Sequence, residues 1–370
     1  MPVLSSLPRR IIGLFLIVSL GACASGSVDE QVARPVPPEP VATGSKRVQP
    51  VPPPLSLPRR AEAPSELRER LFALWRGFPG KTGIAVRRID GDWLVSHRGD
   101  QYFPQQSVSK LWVALTLLDK VDRGELSLDD PISITPSDLT VFYQPMARRV
   151  RREGGIVETA GELLNLAITR SDNSANDALL RHVGGPDAVR DFIDRKDLGR
   201  IRFGPGERLL QSRIAGIEWR QNLSEGRAFQ AERARQPYEA RRKALYAYLN
   251  DPIDGASPEA IANALARLAR GDLLSAQSTQ LILQTMSRTR SGPKRLKGGV
   301  PPGWQFGHKT GTGQDLPPIS TGYNDVGIMT APDGTRYAVV VMLGDTTAPV
   351  PERMQLMQNV SRAVASSHRR

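Results

Sequence analysis

The sequence has one cysteine, Cys23, in 370 residues. No internal disulfide can therefore brace the fold, which must stand on packing alone. Histidine is nearly as scarce. His97, His182, His308 and His368 lie far apart and form no ligand motif, so structural roles are expected for them, with no metal and no cofactor. The chain also lacks any apolar run long enough for a permanent membrane span, the strongest being the ten apolar or small residues from Ile11 to Leu20. Acids are outnumbered, 38 against 50 Lys and Arg, for a net charge of +12. What is present is ordinary: 39% hydrophobic and 24% charged residues exclude a multi-pass membrane protein and a wholly disordered chain. The length allows one large or two ordinary domains with a real core.

The N-terminus reads as an export signal. Arg9 and Arg10 precede the short apolar run, and Gly21-Ala22-Cys23 follows it. Leu20-Gly21-Ala22-Cys23 resembles a bacterial lipobox, which implies a signal peptide over residues 1–22 and an acylated Cys23 as the new N-terminus; plain secretion is the alternative. Residues 24–64 hold ten prolines and few aromatics. That composition cannot bury enough surface to fold, so residues 23–64 are expected to form a stiff, extended tether. A lipid anchor on an exported chain places the folded body in the periplasm, and Ala24 after Cys23 hints at the outer membrane. An exported chain seldom meets nucleic acid, so no nucleic-acid partner is expected, and the positive balance points to solubility or to an anionic surface.

The body, residues 65–370, is bounded by hairpins. Thr82 to Gly99 shows two alternating apolar runs around Asp90-Gly91, and Asn324 to Leu343 shows two more around Pro332-Asp333-Gly334. Between them the sequence predicts helices over Val108–Leu118, Ala160–Ile168 and Ser174–Val183, and one capped by Ser257 with Pro258 at its first turn. A closing helix is expected from Pro351 to Ala365. The pattern implies an α+β fold: one antiparallel sheet formed by both ends of the body and flanked by helices, with an all-helical part inserted. Residues 212–251, within a stretch rich in Lys, Arg and Glu, read as an insertion made of two surface helices with a solvated charged face.

Ser107 and Lys110 stand at the mouth of the first buried helix. Three residues apart, they share a helical face, so the lysine nitrogen can reach the serine hydroxyl and, partly desolvated, take its proton. The positive end of the helix favours the developing anion. Alone the pattern is weak, since Ser-x-x-Lys is expected about once in a chain of this length and a capped helix with a solvated lysine would look the same. Two further tripeptides change the odds: Ser171-Asp172-Asn173 between two helices, and Lys309-Thr310-Gly311 before the last strands.

Ser-x-x-Lys, Ser-Asp-Asn and Lys-Thr-Gly in this order resemble the signature set of the class A β-lactamases and penicillin-binding proteins. The flanks "YFPQQSVSK" and "GHKTGTG…NDVGIMTAPDG" are similar to that family as well. The resemblance implies a β-lactamase/transpeptidase-like fold in which Ser107 is the acylated nucleophile and Lys110 its proton partner. Ser171 would pass a proton to the leaving nitrogen, and Asn173 would hold the substrate's side-chain amide. Lys309 and Thr310, on an exposed strand, would bind the substrate carboxylate, and the N–H groups of Ser107 and Thr312 would form the oxyanion hole. Glu207 in "GERLLQ" matches the glutamate that activates the deacylating water; an ordinary surface glutamate is the competing reading.

The chain departs from the family pattern at several points. Gln211 replaces an asparagine, Pro205 stands where an arginine usually pins the loop by a salt bridge, and Asp177 replaces an asparagine in many members. Ser320-Thr321-Gly322 lacks the arginine that often assists Lys309. Three functions are weighed: a periplasmic serine hydrolase opening β-lactams through an acyl-enzyme; a penicillin-binding D,D-carboxypeptidase, or an esterase or amidase, acting on peptidoglycan stem peptides; and a non-catalytic envelope-binding module. The full motif set favours the first, acting as a monomer on a small molecule and joined to the membrane through Cys23.

Overall fold

The computed structural model describes residues 62–91 and 93–368. Cys23, the export signal and residues 23–61 of the expected tether lie outside the described residues. The chain opens with α1 (Ser65–Arg76), β1 (Thr82–Arg88), β2 (Leu94–His97) and the short β3 (Phe103–Pro104); a 3₁₀ turn over Gln106–Ser109 then runs into α2 (Lys110–Asp122). The middle comprises β4 (Pro131–Ile134), α3 (Ala147–Glu153), β5 (Ile156–Thr159), α4 (Ala160–Thr169), α5 (Asn173–His182), α6 (Gly185–Arg195), α7 (Glu207–Ala215), α8 (Ala228–Arg235) and α9 (Tyr238–Asn250). It continues with β6 (Gly255–Ala256), α10 (Pro258–Arg270) and α11 (Ala276–Ser287), after which β7 (Gln305–Gly311), β8 (Ser320–Thr330), β9 (Arg336–Thr346) and α12 (Val350–Ser366) complete the fold.

Both hairpins join one antiparallel sheet in the order β2-β1-β9-β8-β7, so the two ends of the body meet at the β1–β9 pair, as the alternating runs imply. Side chains alternate across a strand, and here both faces are covered. Ile84, Val86, Val339, Val341 and Leu343 pack with α1 and α12, whereas Ala85, Ala338, Val340 and Met342 turn to the helical side. α2 runs through that second core with every residue from Lys110 to Asp119 buried. A helix apolar all round must lie in the interior, and this one carries the Ser107–Lys110 pair into the centre of the molecule.

Caps fix where the helices begin. The Asp172 carboxylate accepts the N–H groups of Ser174 and Ala175, both at 3.0 Å, and starts α5 directly after Ser171. Ser257 accepts the Ala260 N–H at 3.2 Å and Pro258 opens α10, as the sequence predicts. Helix α7 crosses residue 212, where the insertion is expected to begin. α7 continues to Ala215, and the helices that follow are only partly solvated: α9 seats Leu245, Tyr248 and Leu249 against Leu210 and Ile214 of α7.

The turn Leu296–Gly299 lies beneath α12, where Ser361 Oγ donates to the Leu296 carbonyl at 2.8 Å. A Cβ on Gly299 would stand 2.1 Å from the Gln358 carbonyl oxygen, so the helix can approach only because that position is bare. Gly299→Ala is expected to cost about 1–3 kcal/mol of overpacking and to lower the melting temperature by several degrees. An unchanged calorimetric transition would contradict this close contact.

Candidate active site

Three elements converge on one ammonium group. Lys110 Nζ lies 2.7 Å from Ser107 Oγ, 2.7 Å from Asn173 Oδ1 and 2.6 Å from Glu207 Oε1, and the lysine has no solvent exposure. An ammonium has three N–H donors, and here each has an acceptor. Burying a charge without such partners is prohibitive, so α2, the start of α5 and the start of α7 are held together by this one group. Glu207 is itself buried and is the first residue of a helix, not a surface side chain in a loop. Asn173 is turned toward the lysine by its amide nitrogen, which donates to the Val141 carbonyl at 2.8 Å.

A cavity of about 660 Å³ has Ser107, Ser171, Asn173, Glu207, Thr310 and Thr312 in its walls, and a second buried lysine, Lys309, touches it through Ser171. Lys309 Nζ donates to Ser171 Oγ at 2.8 Å. The strand that carries it is the sheet's edge but is not exposed: α11 covers β7, and Lys309 and Thr310 are buried. Burial, then the neighbouring Lys110 charge, pushes the Lys309 ammonium well below the usual lysine range. The structure thus brings together every cavity residue that the sequence singles out, and it leaves the histidines elsewhere. His182 meets Asp130 at 3.1 Å, and His308 is buried against Asp325 at 2.8 Å.

Sequence reasoning missed Arg295. It sits before the turn under α12, and no residue pattern announces it. Its guanidinium donates to Thr312 Oγ1 at 2.6 Å and to the carbonyls of Gly311 and Asn324 at 2.7 Å, with the Tyr323 ring 3.8 Å away. An arginine therefore stands beside Lys309 and Thr310 after all, reached from a different segment than Ser320-Thr321-Gly322.

The residue before Ser107 is as tightly held as Ser107. Gln106 has a left-handed φ of 52°, as do Phe142 (60°) and Ser171 (58°) beside the cavity. Each such conformation costs on the order of 1–3 kcal/mol and persists only where the surroundings impose it. At Gln106 they do so through the Asp254 carboxylate, which accepts its N–H at 2.8 Å. Gln211, the replacement for asparagine, stays in the site: its amide nitrogen lies 3.0 Å from Gln106 Oε1 and 3.2 Å from Glu207 Oε2.

Asp177 accepts the Glu207 N–H at 3.1 Å and is buried. Burial first, and then the Glu207 charge, raises its carboxyl to about 6. A carboxyl raised above its unfolded value of about 3.9 binds its proton more tightly in the folded state, so its contribution is greatest at low pH and is lost as pH rises through about 6. Asn at this position keeps the acceptor without the charge. Asp177→Asn should therefore gain stability over the wild type between pH 4 and pH 7, by on the order of 2 kcal/mol, in urea unfolding curves. A stability difference independent of pH would contradict it.

Comparison with known proteins agrees with this geometry. The profile of the "Beta-lactamase enzyme family" matches residues 66–367. A β-lactamase of Bacteroides uniformis is 29% identical over 313 residues, 84% of this chain and 94% of that protein. The β-lactamase VEB-1 of Pseudomonas aeruginosa is 27% identical over 74% of this chain and 81% of its own length. Among solved structures, a β-lactamase from Chitinophaga pinensis superposes with a TM-score of 0.67 at 27% identity, covering 81% of this chain and 98% of that one. The chain belongs to the β-lactamase enzyme family.

Proposed function

We propose that this protein is a class A-type serine β-lactamase, opening the β-lactam amide through an acyl-enzyme on Ser107 and hydrolysing that ester with a water activated by Glu207. The observation that carries the reading is the contact of Lys110 Nζ with both Ser107 Oγ and Glu207 Oε1, at 2.7 and 2.6 Å, on the wall of an open cavity. A fully protonated lysine cannot accept the serine proton. It first yields one to Glu207 across the 2.6 Å contact, and the resulting amine takes the hydroxyl proton as Ser107 Oγ attacks the carbonyl carbon.

The N–H groups of Ser107 and Thr312 receive the oxyanion, where two fixed donors favour the tetrahedral state. Ser171, with Lys309 2.8 Å behind it, then gives its proton to the departing ring nitrogen and regains one from Lys110, to which Glu207 returns the proton it took, so that Glu207 is again ionised and Lys110 protonated. Thr310, Thr312 and Arg295 form the cationic and hydroxyl-bearing end of the cavity, with Lys309 behind Ser171, suited to the carboxylate of a β-lactam. Asn173 presents its amide to the side chain of the substrate. In the second half-reaction Glu207 takes a proton from water, the hydroxide adds to the ester carbon, and Ser107 Oγ leaves with the proton that Lys110 returns. No step calls on a metal or cofactor.

The tether and Cys23 belong to the same proposal. An export signal, a lipobox-like Leu-Gly-Ala-Cys and a proline-rich spacer support a periplasmic enzyme, lipid-anchored at the outer membrane and acting as a monomer to protect its cell from β-lactams.

Nitrocefin hydrolysis followed from milliseconds to an hour, with Ser107→Ala alongside, tests the reading. Sustained turnover is expected, with a loss of at least about a thousandfold in the variant. A burst of one equivalent that then stops would point to a penicillin-binding wall enzyme, and no reaction at all would overturn acyl transfer to β-lactams.

A further inference from the structure

The inserted helices bring a buried polar side chain close to the residues of the cavity. Tyr248 of α9 is buried, and its hydroxyl lies 2.6 Å from Gln106 Nε2 and 2.8 Å from Asp254 Oδ1. The other Asp254 oxygen accepts the Gln106 N–H. Among the described residues no Lys or Arg forms an ion pair with Asp254, and the Tyr248 hydroxyl and the Gln106 N–H are the donors that hold its carboxylate. We propose that Tyr248 is a positioning residue, which fixes Gln106 and, through Gln211, the Glu207 carboxylate for release of the acyl group. The inference rests on the β-lactamase reading above.

Direction is what the hydroxyl supplies. With Asp254 ionised, the phenol O–H must donate to its carboxylate, so the phenol oxygen is left to accept. Gln106 must then turn its NH₂ to Tyr248 and its carbonyl oxygen to Gln211. Gln211 Nε2, drawn to that oxygen at 3.0 Å, reaches Glu207 Oε2 at 3.2 Å with its second hydrogen. Gln314 Nε2 holds Gln211 from the far side through its carbonyl at 2.8 Å and its Oε1 at 3.0 Å. The result is a directed chain, Asp254–Tyr248–Gln106–Gln211–Glu207, running from the insertion to the oxygen of Glu207 that Lys110 does not occupy. Such a chain keeps this oxygen aimed while the acyl group occupies Ser107. The hydrophobic seat of α9 on α7, through Leu245, Leu249, Leu210 and Ile214, makes the brace part of the core and not a surface contact.

The test is the kinetics of Tyr248→Phe on nitrocefin with the purified full chain. Phe keeps the packed ring and removes only the hydroxyl. Slower release of the acyl group lowers kcat and KM together, by about tenfold for one directing hydrogen bond, and leaves kcat/KM unchanged, because acylation precedes the affected step. Loss of folded enzyme would lower kcat at constant KM instead. Gln211→Ala should behave the same way, and the double variant should be no slower than either single one, since both cut the same chain. Gln106→Gly, which suits a φ of 52°, interrupts the chain one link further on and serves if Tyr248→Phe does not fold. Unchanged kcat, equal falls in kcat and kcat/KM, or multiplying effects in the double variant would each overturn the proposal. A wild type that never turns over nitrocefin is a different outcome: it removes the β-lactamase reading and this inference with it.

Discussion

The ammonium of Lys110 is the group on which the rest of the site depends. It is buried in an apolar helix, where an unpaired charge would not be tolerated. Its three acceptors come from the turn before α2, from the start of α5 and from the start of α7, so the fold cannot keep the charge without also bringing Ser107, Asn173 and Glu207 to one point. Removing one partner would leave the others poorly compensated. The geometry of the site and the packing are thus one constraint, since the lysine that contacts Ser107 and Glu207 also ties α2 to α5 and α7.

The cost of this arrangement is distributed around it. Three residues lie in left-handed backbone conformations beside the cavity. Two carboxyls, Asp177 and Asp254, are both raised to about 6, chiefly by burial, and both accept backbone N–H groups of residues at the site. These features are unfavourable one by one. They persist because a large core surrounds them, with both faces of the sheet covered and α2 enclosed on all sides. Opposite them, Arg295 places positive charge at one end of the cavity, beside the hydroxyls of Thr310 and Thr312, which prepares it for an anion.

Much of this was legible in the sequence. The alternating runs about Asp90-Gly91 and Pro332-Asp333-Gly334 are local signals, and they become the β1–β2 and β8–β9 hairpins of a single sheet. Ser107 and Lys110 are neighbours because helical geometry makes them so, and Ser257 and Pro258 announce the start of α10. Other parts depend on contacts between distant segments. Arg295 reaches Thr312 only because the turn under α12 folds back along β7, and Tyr248 meets Gln106 across 142 residues. The exposure expected for Lys309 failed for the same reason: an edge strand is open only until a helix such as α11 packs over it. The insertion, whose charged residues suggested two solvated helices, has an apolar face on α7 that the charge pattern obscured.

The most direct measurement of the central claim is the intact mass of the full chain after mixing with benzylpenicillin, for the wild type and for Glu207→Gln. If Lys110 and Glu207 share the proton traffic as their contact implies, the variant collects one acyl group per chain and holds it for hours, while the wild type returns to its free mass as the penicillin is consumed. A Glu207→Gln enzyme that sheds the acyl group as fast as the wild type would contradict the account, because some group other than the one paired with Lys110 would then be activating the water.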